Sequence, residues 1–335
     1  MRRGQEEAVA VANRQQWTEI KAGNIDEAAE RIIDFLEDTS KETTVIYFNG
    51  WYGVGASAIL KLVAKRLRSS PEKLGLDKII HVDCSLWQSK RALQKAIAQE
   101  VELHSSVMAM FDQRDEEDDF EGLEQGARDV IPEVRTQMLE HLWTRRFLVI
   151  FHNGSGSYID LWECGVPVIG LSGKRVLWTS QGRFCSTAVG DARSIAGLSD
   201  VAIYVLPTDR VGFDSEFLLH EEAKEVARYP GVPKPGISPE IVKECVMYYR
   251  VLRERVGSHG IDWGTYKANY WVCSGIVRSA AAWEIAQALD TNLRLDGYYR
   301  WNVSALQVPS DSLEASFFYT TGSRISPKKP KIPPT

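Results

Sequence analysis

Two hydrophobic periods share the first two-thirds of the chain, and only one of them continues afterwards. Short runs rich in β-branched and aromatic residues occupy 44–48, 78–84, 147–151, 175–179 and 201–206, and each reads as a strand. Phe147-Leu148-Val149-Ile150-Phe151 is apolar throughout, as a central parallel strand buried on both faces requires. Between these runs apolar residues recur at helical spacing. Ala29, Ile32, Ile33 and Leu36 form one stripe, and Ile59, Leu60, Val63 and Leu67 a second. Leu93, Ile97 and Val101 follow a candidate N-cap at Ser89. Val134, Met138 and Leu142 follow Pro132, which suits a first helical turn. Strands alternating with helices call for a parallel sheet with right-handed crossovers.

Beyond Pro207 only the helical period persists. Candidate helices cover 217–228, 265–277 and 279–289. Another starts at Ser238-Pro239-Glu240, where a capping residue, a first-turn proline and an acid on the dipole coincide. Trp263, Tyr266, Tyr270 and Trp271 have the spacing of a helical core. The expected organisation is a linker and helix over 1–40, an α/β domain over 41–207, a helical domain over 208–295, and an irregular, disordered tail over 296–335. Residues 1–25 are polar without a clear period. The acid-rich stretch 112–124 lacks the alternating ligands of a calcium loop and is expected to be a solvated, flexible loop.

The 335 residues are 44% hydrophobic and 25% charged, the balance of a globular protein. A net charge of −5 and a pI near 5.8 leave no basic excess for general nucleic-acid binding. No apolar run reaches the roughly 18 residues of a membrane span, and Met1-Arg2-Arg3 leads into no signal core. A cytoplasmic protein is expected. Lys328, Lys329 and Lys331 match a nuclear import signal weakly, and a soluble tail explains them better. The cysteines at 84, 164, 185, 245 and 273 are far apart and odd in number, so reduced, mostly buried thiols are expected, with no metal site.

Chemistry concentrates after the first strand. Asn49-Gly50-Trp51-Tyr52-Gly53-Val54-Gly55-Ala56-Ser57 joins a strand to a helix with the glycine spacing of a phosphate loop. Ser57 stands where a magnesium-ligating hydroxyl belongs, but Ala56 replaces the lysine that would reach the β- and γ-phosphates. One lost charge-assisted bond costs about 1.5–3 kcal/mol, roughly one to two orders of magnitude in affinity. Gly50, Gly53, Val54, Gly55, Ala56 and Ser57 could still present backbone N–H groups to an anion at a helix N-terminus. The opposing reading is a tight turn that only feeds the strand into the helix. The fold expected is therefore P-loop NTPase-like: a parallel five-stranded sheet with flanking helices, followed by a small all-helical domain. Ligands of such sheets sit at the carboxyl ends of the strands, where Gly50, Ser57, His152 and Thr179 would meet.

Over roughly residues 24–290 the chain resembles the NB-ARC nucleotide-binding module of plant disease-resistance proteins, especially the divergent form of grasses. The resemblance rests on Asn49-Gly50-Trp51-Tyr52-Gly53-Val54-Gly55, His81-Val82-Asp83-Cys84-Ser85 and Leu93-Gln94-Lys95-Ala96-Ile97. It continues through Phe147-Leu148-Val149-Ile150-Phe151-His152-Asn153-Gly154-Ser155, like a Walker B segment, and Val176-Leu177-Trp178-Thr179-Ser180, like a sensor strand. Glu240-Ile241-Val242-Lys243-Glu244-Cys245 and Ala268-Asn269-Tyr270-Trp271-Val272-Cys273-Ser274-Gly275-Ile276 complete it.

The resemblance implies a molecular switch of the AAA-like class, resting with ADP, oligomerising with ATP, and signalling in immunity. It also implies defence proteins of the same family as partners. Several positions depart from the pattern. His152 and Asn153 stand for the paired acids, and Gln181 for the sensor arginine, with Arg183 two residues on. Tyr248-Tyr249-Arg250-Val251 stands where Gly-Leu-Pro-Leu would abut adenine. The sequence reading is thus a non-hydrolysing protein with at most weak ADP or ATP binding, no metal and no catalytic residues, acting through protein contacts. An ordinary ADP/ATP switch and a truncated receptor fragment lacking leucine-rich repeats are the alternatives.

Overall fold

The apolar runs assemble into one parallel sheet. Its strands are β1 (Gln16–Lys21), β2 (Val45–Phe48), β3 (Lys78–Asp83), β4 (Phe147–Asn153), β5 (Lys174–Ser180) and β6 (Val201–Leu206). Their spatial order is β1-β6-β2-β5-β4-β3, and every pairing is parallel. The computed structural model describes residues 16–38, 44–51, 54–84, 88–153, 159–168, 173–180, 199–208, 215–227, 237–256 and 267–293. The helices among them are α1 (Ile25–Asp38), α2 (Ala56–Ser69), α3 (Lys90–Glu100), α4 (Ser105–Glu121), α5 (Pro132–Trp143), α6 (Ser215–Val226), α7 (Pro239–Val256), α8 (Lys267–Cys273) and α9 (Ala282–Leu293).

Strand β2 lies inside the sheet between β6 and β5. The chain leaves β2 for the far edge at β3, returns through β4 and β5, then crosses to β6 on the other side of β2. Successive connections therefore diverge from the carboxyl end of β2, the switch point where such sheets bind ligands. This parallel α/β sheet, with a glycine turn leading from an interior strand into a helix, is P-loop NTPase-like.

Apolar side chains divide between the two faces. Ile46, Phe48, Ile150, Leu177 and Ile203 point to one face, where α1, α2 and the helices after 207 pack. Tyr47, Ile80, Val149, Trp178 and Ala202 point to the other, covered by α3, α4 and α5. Tyr47 and Trp178 meet at a tilt, with ring centroids 4.9 Å apart and planes inclined by 55°. Predicted caps are found: Ser89 Oγ accepts from Ala92 N–H at 3.1 Å, and Ser238 Oγ from Ile241 N–H at 3.4 Å.

Two expectations are corrected. The sheet has six strands, not five, because residues 16–21 form β1 in register with β6. An edge strand with one polar face carries little apolar periodicity, and its partner is remote in sequence. Residues 112–121 are not a loop but the second half of α4. Their acids meet bases on neighbouring elements: Lys95 reaches Asp112 at 2.7 Å, Arg91 bonds Asp115 at 3.1 Å and Asp118 more closely, and Arg128 bonds Asp115 and Asp119. Trp271 is buried, and its Nε1–H donates to the Cys245 carbonyl at 2.9 Å. Trp263, Tyr266 and the tail 296–335 lie outside the described residues.

Candidate functional site

Glycine at two loop positions is dictated by the backbone. Gly50 and Gly55 hold φ of 65° and 78°, in the left-handed region that β-carbons disfavour. A Cβ on Gly50 would lie 2.4 Å from the Val54 carbonyl oxygen and 2.9 Å from Ala56 N, so the two limbs of the loop touch at its base. Higher up, Trp51 N–H donates to the Val54 carbonyl and Val54 N–H to the Trp51 carbonyl, both at 2.9 Å. A phosphate cradle turns successive N–H groups inward toward the anion. Here the N–H groups of Trp51 and Val54 are each taken up by the other residue's carbonyl.

The Trp51 indole also lies within the fold. It is buried, and its Nε1–H donates to the Ala22 carbonyl, just past β1, at 3.3 Å. Its ring and Leu218 of α6 stand against Gly55, each 3.1 Å from where a Cβ there would lie. The entrance to α2 is thus roofed by an indole and a leucine. Ala56, at the lysine position, is also buried.

Ser57, in the first turn of α2, is buried beside β4. Its Oγ lies 3.3 Å from His152 Nδ1, and His152 Nε2 lies 3.0 Å from His81 Nε2. One proton lies between the two imidazoles, and its position fixes whether Ser57 donates to His152 or accepts from it. The three side chains form one line from the helix terminus to the sheet edge. His152 is level with Asp83 on β3 and Thr179 on β5. Gly50, Gly55, Ser57, His152 and Thr179 therefore do gather at the carboxyl ends of the strands, with Val54 and Ala56 in the loop between. Gly53, Gln181 and Arg183 lie outside the described residues.

The donor set does not fit a magnesium nucleotide. Magnesium takes hard, anionic oxygens in octahedral geometry, whereas the Ser57 hydroxyl faces an imidazole. The neighbouring acid, Asp83, is held by Lys61 at 3.0 Å, and Lys61 also reaches Glu225 of α6 at 2.6 Å. Among the described residues no three His, Cys, Asp or Glu side chains converge on a metal-sized site. Burial pushes the Cys84 and Cys164 thiols up to about 12, so neither is a thiolate nucleophile at neutral pH. No described helix is long and apolar enough to cross a membrane.

Trp51, His81 and Leu218 complete the site beyond the residues that loop spacing singles out. Only Trp51 carried a local signal, as a large aromatic inside a glycine loop. His81 is held below its usual value, first by burial and then by the Arg68 charge; Lys61 adds to this, while Asp83 and Glu100 oppose it. A histidine whose folded pKa is depressed contributes stability that is fully present above its unfolded pKa near 6.5 and is lost as pH falls through the lower folded value. Urea midpoints are therefore expected to drop as pH goes below 6.5, and His81→Gln to flatten that part of the profile. An unchanged slope would show that His81 is not the titrating group.

No family model and no curated protein matches the chain. Among solved structures, the Aeropyrum pernix ORC2 protein in ADPNP-ADP complexes is 13% identical over 87% of this chain and 69% of that one, with a TM-score of 0.34. A likeness so distant carries nothing about the site.

Proposed function

We propose that the chain is an NB-ARC-like defence protein of the cytoplasm that keeps the P-loop fold as a scaffold for protein contacts. It does not hydrolyse ATP and binds ADP or ATP weakly at most. The observation that carries this reading is the Ser57–His152 pair. The hydroxyl suited to magnesium shares a buried hydrogen bond with an imidazole where the family pattern has a carboxylate. Without a metal to neutralise charge developing on the γ-phosphate, phosphoryl transfer loses its main electrostatic support. The closed Trp51–Val54 turn and the Ala56 position weaken the ground-state grip as well. The partners proposed are other defence proteins of this class.

A working ADP/ATP switch is the alternative, favoured by the α2 N-terminus beneath Gly55, whose first amides lack intrahelical acceptors. Calorimetric titration with ADP and ATP, with and without magnesium, separates the two. The expected dissociation constants are in the millimolar range, about −4 kcal/mol, and indifferent to magnesium. Ala56→Lys is expected to leave them unchanged, because one added charge neither reopens the loop nor supplies a carboxylate. Stoichiometric ADP in protein purified without nucleotide, or turnover abolished by Ser57→Ala, would overturn the scaffold reading.

A further inference from the structure

Helix α4 divides its acids between two tasks. Asp118 is buried and Asp115 half-buried, bonded to Arg91 and Arg128, while Asp112 and Asp119 are exposed and pair with Lys95 and Arg128. The helix end carries Phe120, which is 93% exposed, and Leu123, just past the Gly122 cap, is 40% exposed. Helical spacing places Glu116 and Glu117 one turn before Phe120, on its side of the helix. Arg114, at 2.7 Å from Glu117, is the base that an ion pair brings to this side. The helix closes at Gly122 with φ of 75°, and a Cβ there would meet no atom within 4 Å. The tip therefore projects from the body as an aromatic knob with an acidic rim.

Phe120 does not hold the helix in place. The inward ion pairs and buried Phe111 already do so. Displaying an entire phenyl ring to water forgoes the free energy that burial would return. A projecting knob needs a partner with holes, which an amphipathic helix supplies between successive apolar residues. The carboxylates beside Phe120 select the sign of that helix: lysine or arginine flanks are attracted, and acidic segments and nucleic acid are repelled.

We propose that the end of α4 is a docking surface for a basic amphipathic helix of a partner protein, with Phe120 as its anchor. The surface lies apart from the glycine loop, so the inference stands whether or not nucleotide binds there. Anisotropy of a fluorescein-labelled leucine–lysine amphipathic peptide, titrated with the full chain, tests it. Saturable binding that weakens as salt rises is expected. Phe120→Ala is expected to weaken it about tenfold or more, as for an interface anchor. Glu116→Lys combined with Glu117→Lys is expected to abolish it and to favour a leucine–glutamate control peptide instead. Phe120→Gln repeats the measurement if circular dichroism shows the alanine variant to be altered. Absence of binding, equal binding of the control peptide, or undiminished binding by both Phe120 variants would refute the proposal. The last result would mean that charge alone was being measured.

Discussion

Trp51→Ala is expected to lower the free energy of unfolding by about 3–5 kcal/mol, the usual cost of truncating a buried tryptophan. The indole is buried, donates to the Ala22 carbonyl and abuts Gly55 together with Leu218. Truncation therefore does more than leave a cavity. It orphans a carbonyl at the exit of β1 and removes the surface on which α6 meets the loop. Equilibrium urea denaturation followed by circular dichroism measures the loss. Hydrogen exchange should quicken first in α2 and α6, where the contact disappears. A loss below about 1 kcal/mol, the range of ordinary surface changes, would show that the indole is not part of the core. Trp51→Phe should recover part of the packing and none of the hydrogen bond to Ala22.

Arg91→Ala is expected to cost a similar amount, about 3–5 kcal/mol, for an electrostatic reason. Arg91 is buried, and its guanidinium serves Asp115, Asp118 and the Asp129 carbonyl, the last at 3.1 Å. Without it the buried Asp118 keeps Arg114 at 3.7 Å as its remaining ion-pair contact. Most of the cost is a carboxylate stranded away from water. Removing both partners should consequently hurt less than removing one. Arg91→Met with Asp118→Leu is expected to restore most of the stability, since apolar replacements of a buried pair are often neutral. Thermal denaturation of Arg91→Met, Asp118→Leu and the double variant closes the cycle. If the double variant is no better than Arg91→Ala, the arginine acts by filling space.

Much of this fold was legible because it is written locally. The strands at 44–48, 78–84 and 147–151 announce themselves by composition. Ser89, Pro132 and Ser238-Pro239 mark helix starts through chemistry confined to one turn. Gly50 and Gly55 were legible too, since both have the positive φ that a tight strand-to-helix turn demands. What could not be read depends on partners far away. β1 looks like a polar linker until β6 is set beside it. The second half of α4 looks like a solvated loop until Arg91, Lys95 and Arg128 are brought to its acids.

The site shows the same division. Spacing located Ser57, His152 and Thr179 at one end of the sheet, but not the line from Ser57 through His152 to His81. Ser57 and His152 are 95 residues apart, and the diagonal approach of His81 follows only from the pairing of β3 with β4. Nor does glycine spacing say which way the amides of Trp51 and Val54 turn. Conformation of the loop, and not its motif, decides what it can hold.

The strand order also sets a timetable for synthesis. β2 emerges early but finds its neighbours only in β5 and β6, and β1 only in β6. The first strand pair available to a growing chain is β3 with β4; β2 can join after residue 180, and β1 only once residue 206 has appeared. Until residue 180 has appeared the glycine turn that feeds α2 has no sheet beneath it, and until residue 206 has appeared the β1 exit that Trp51 binds has no place in the sheet. The N-terminal half thus waits on the ribosome for the strands that enclose it, with its apolar faces uncovered. Topologies closed by such remote pairings are slow to complete and depend on protection while they wait.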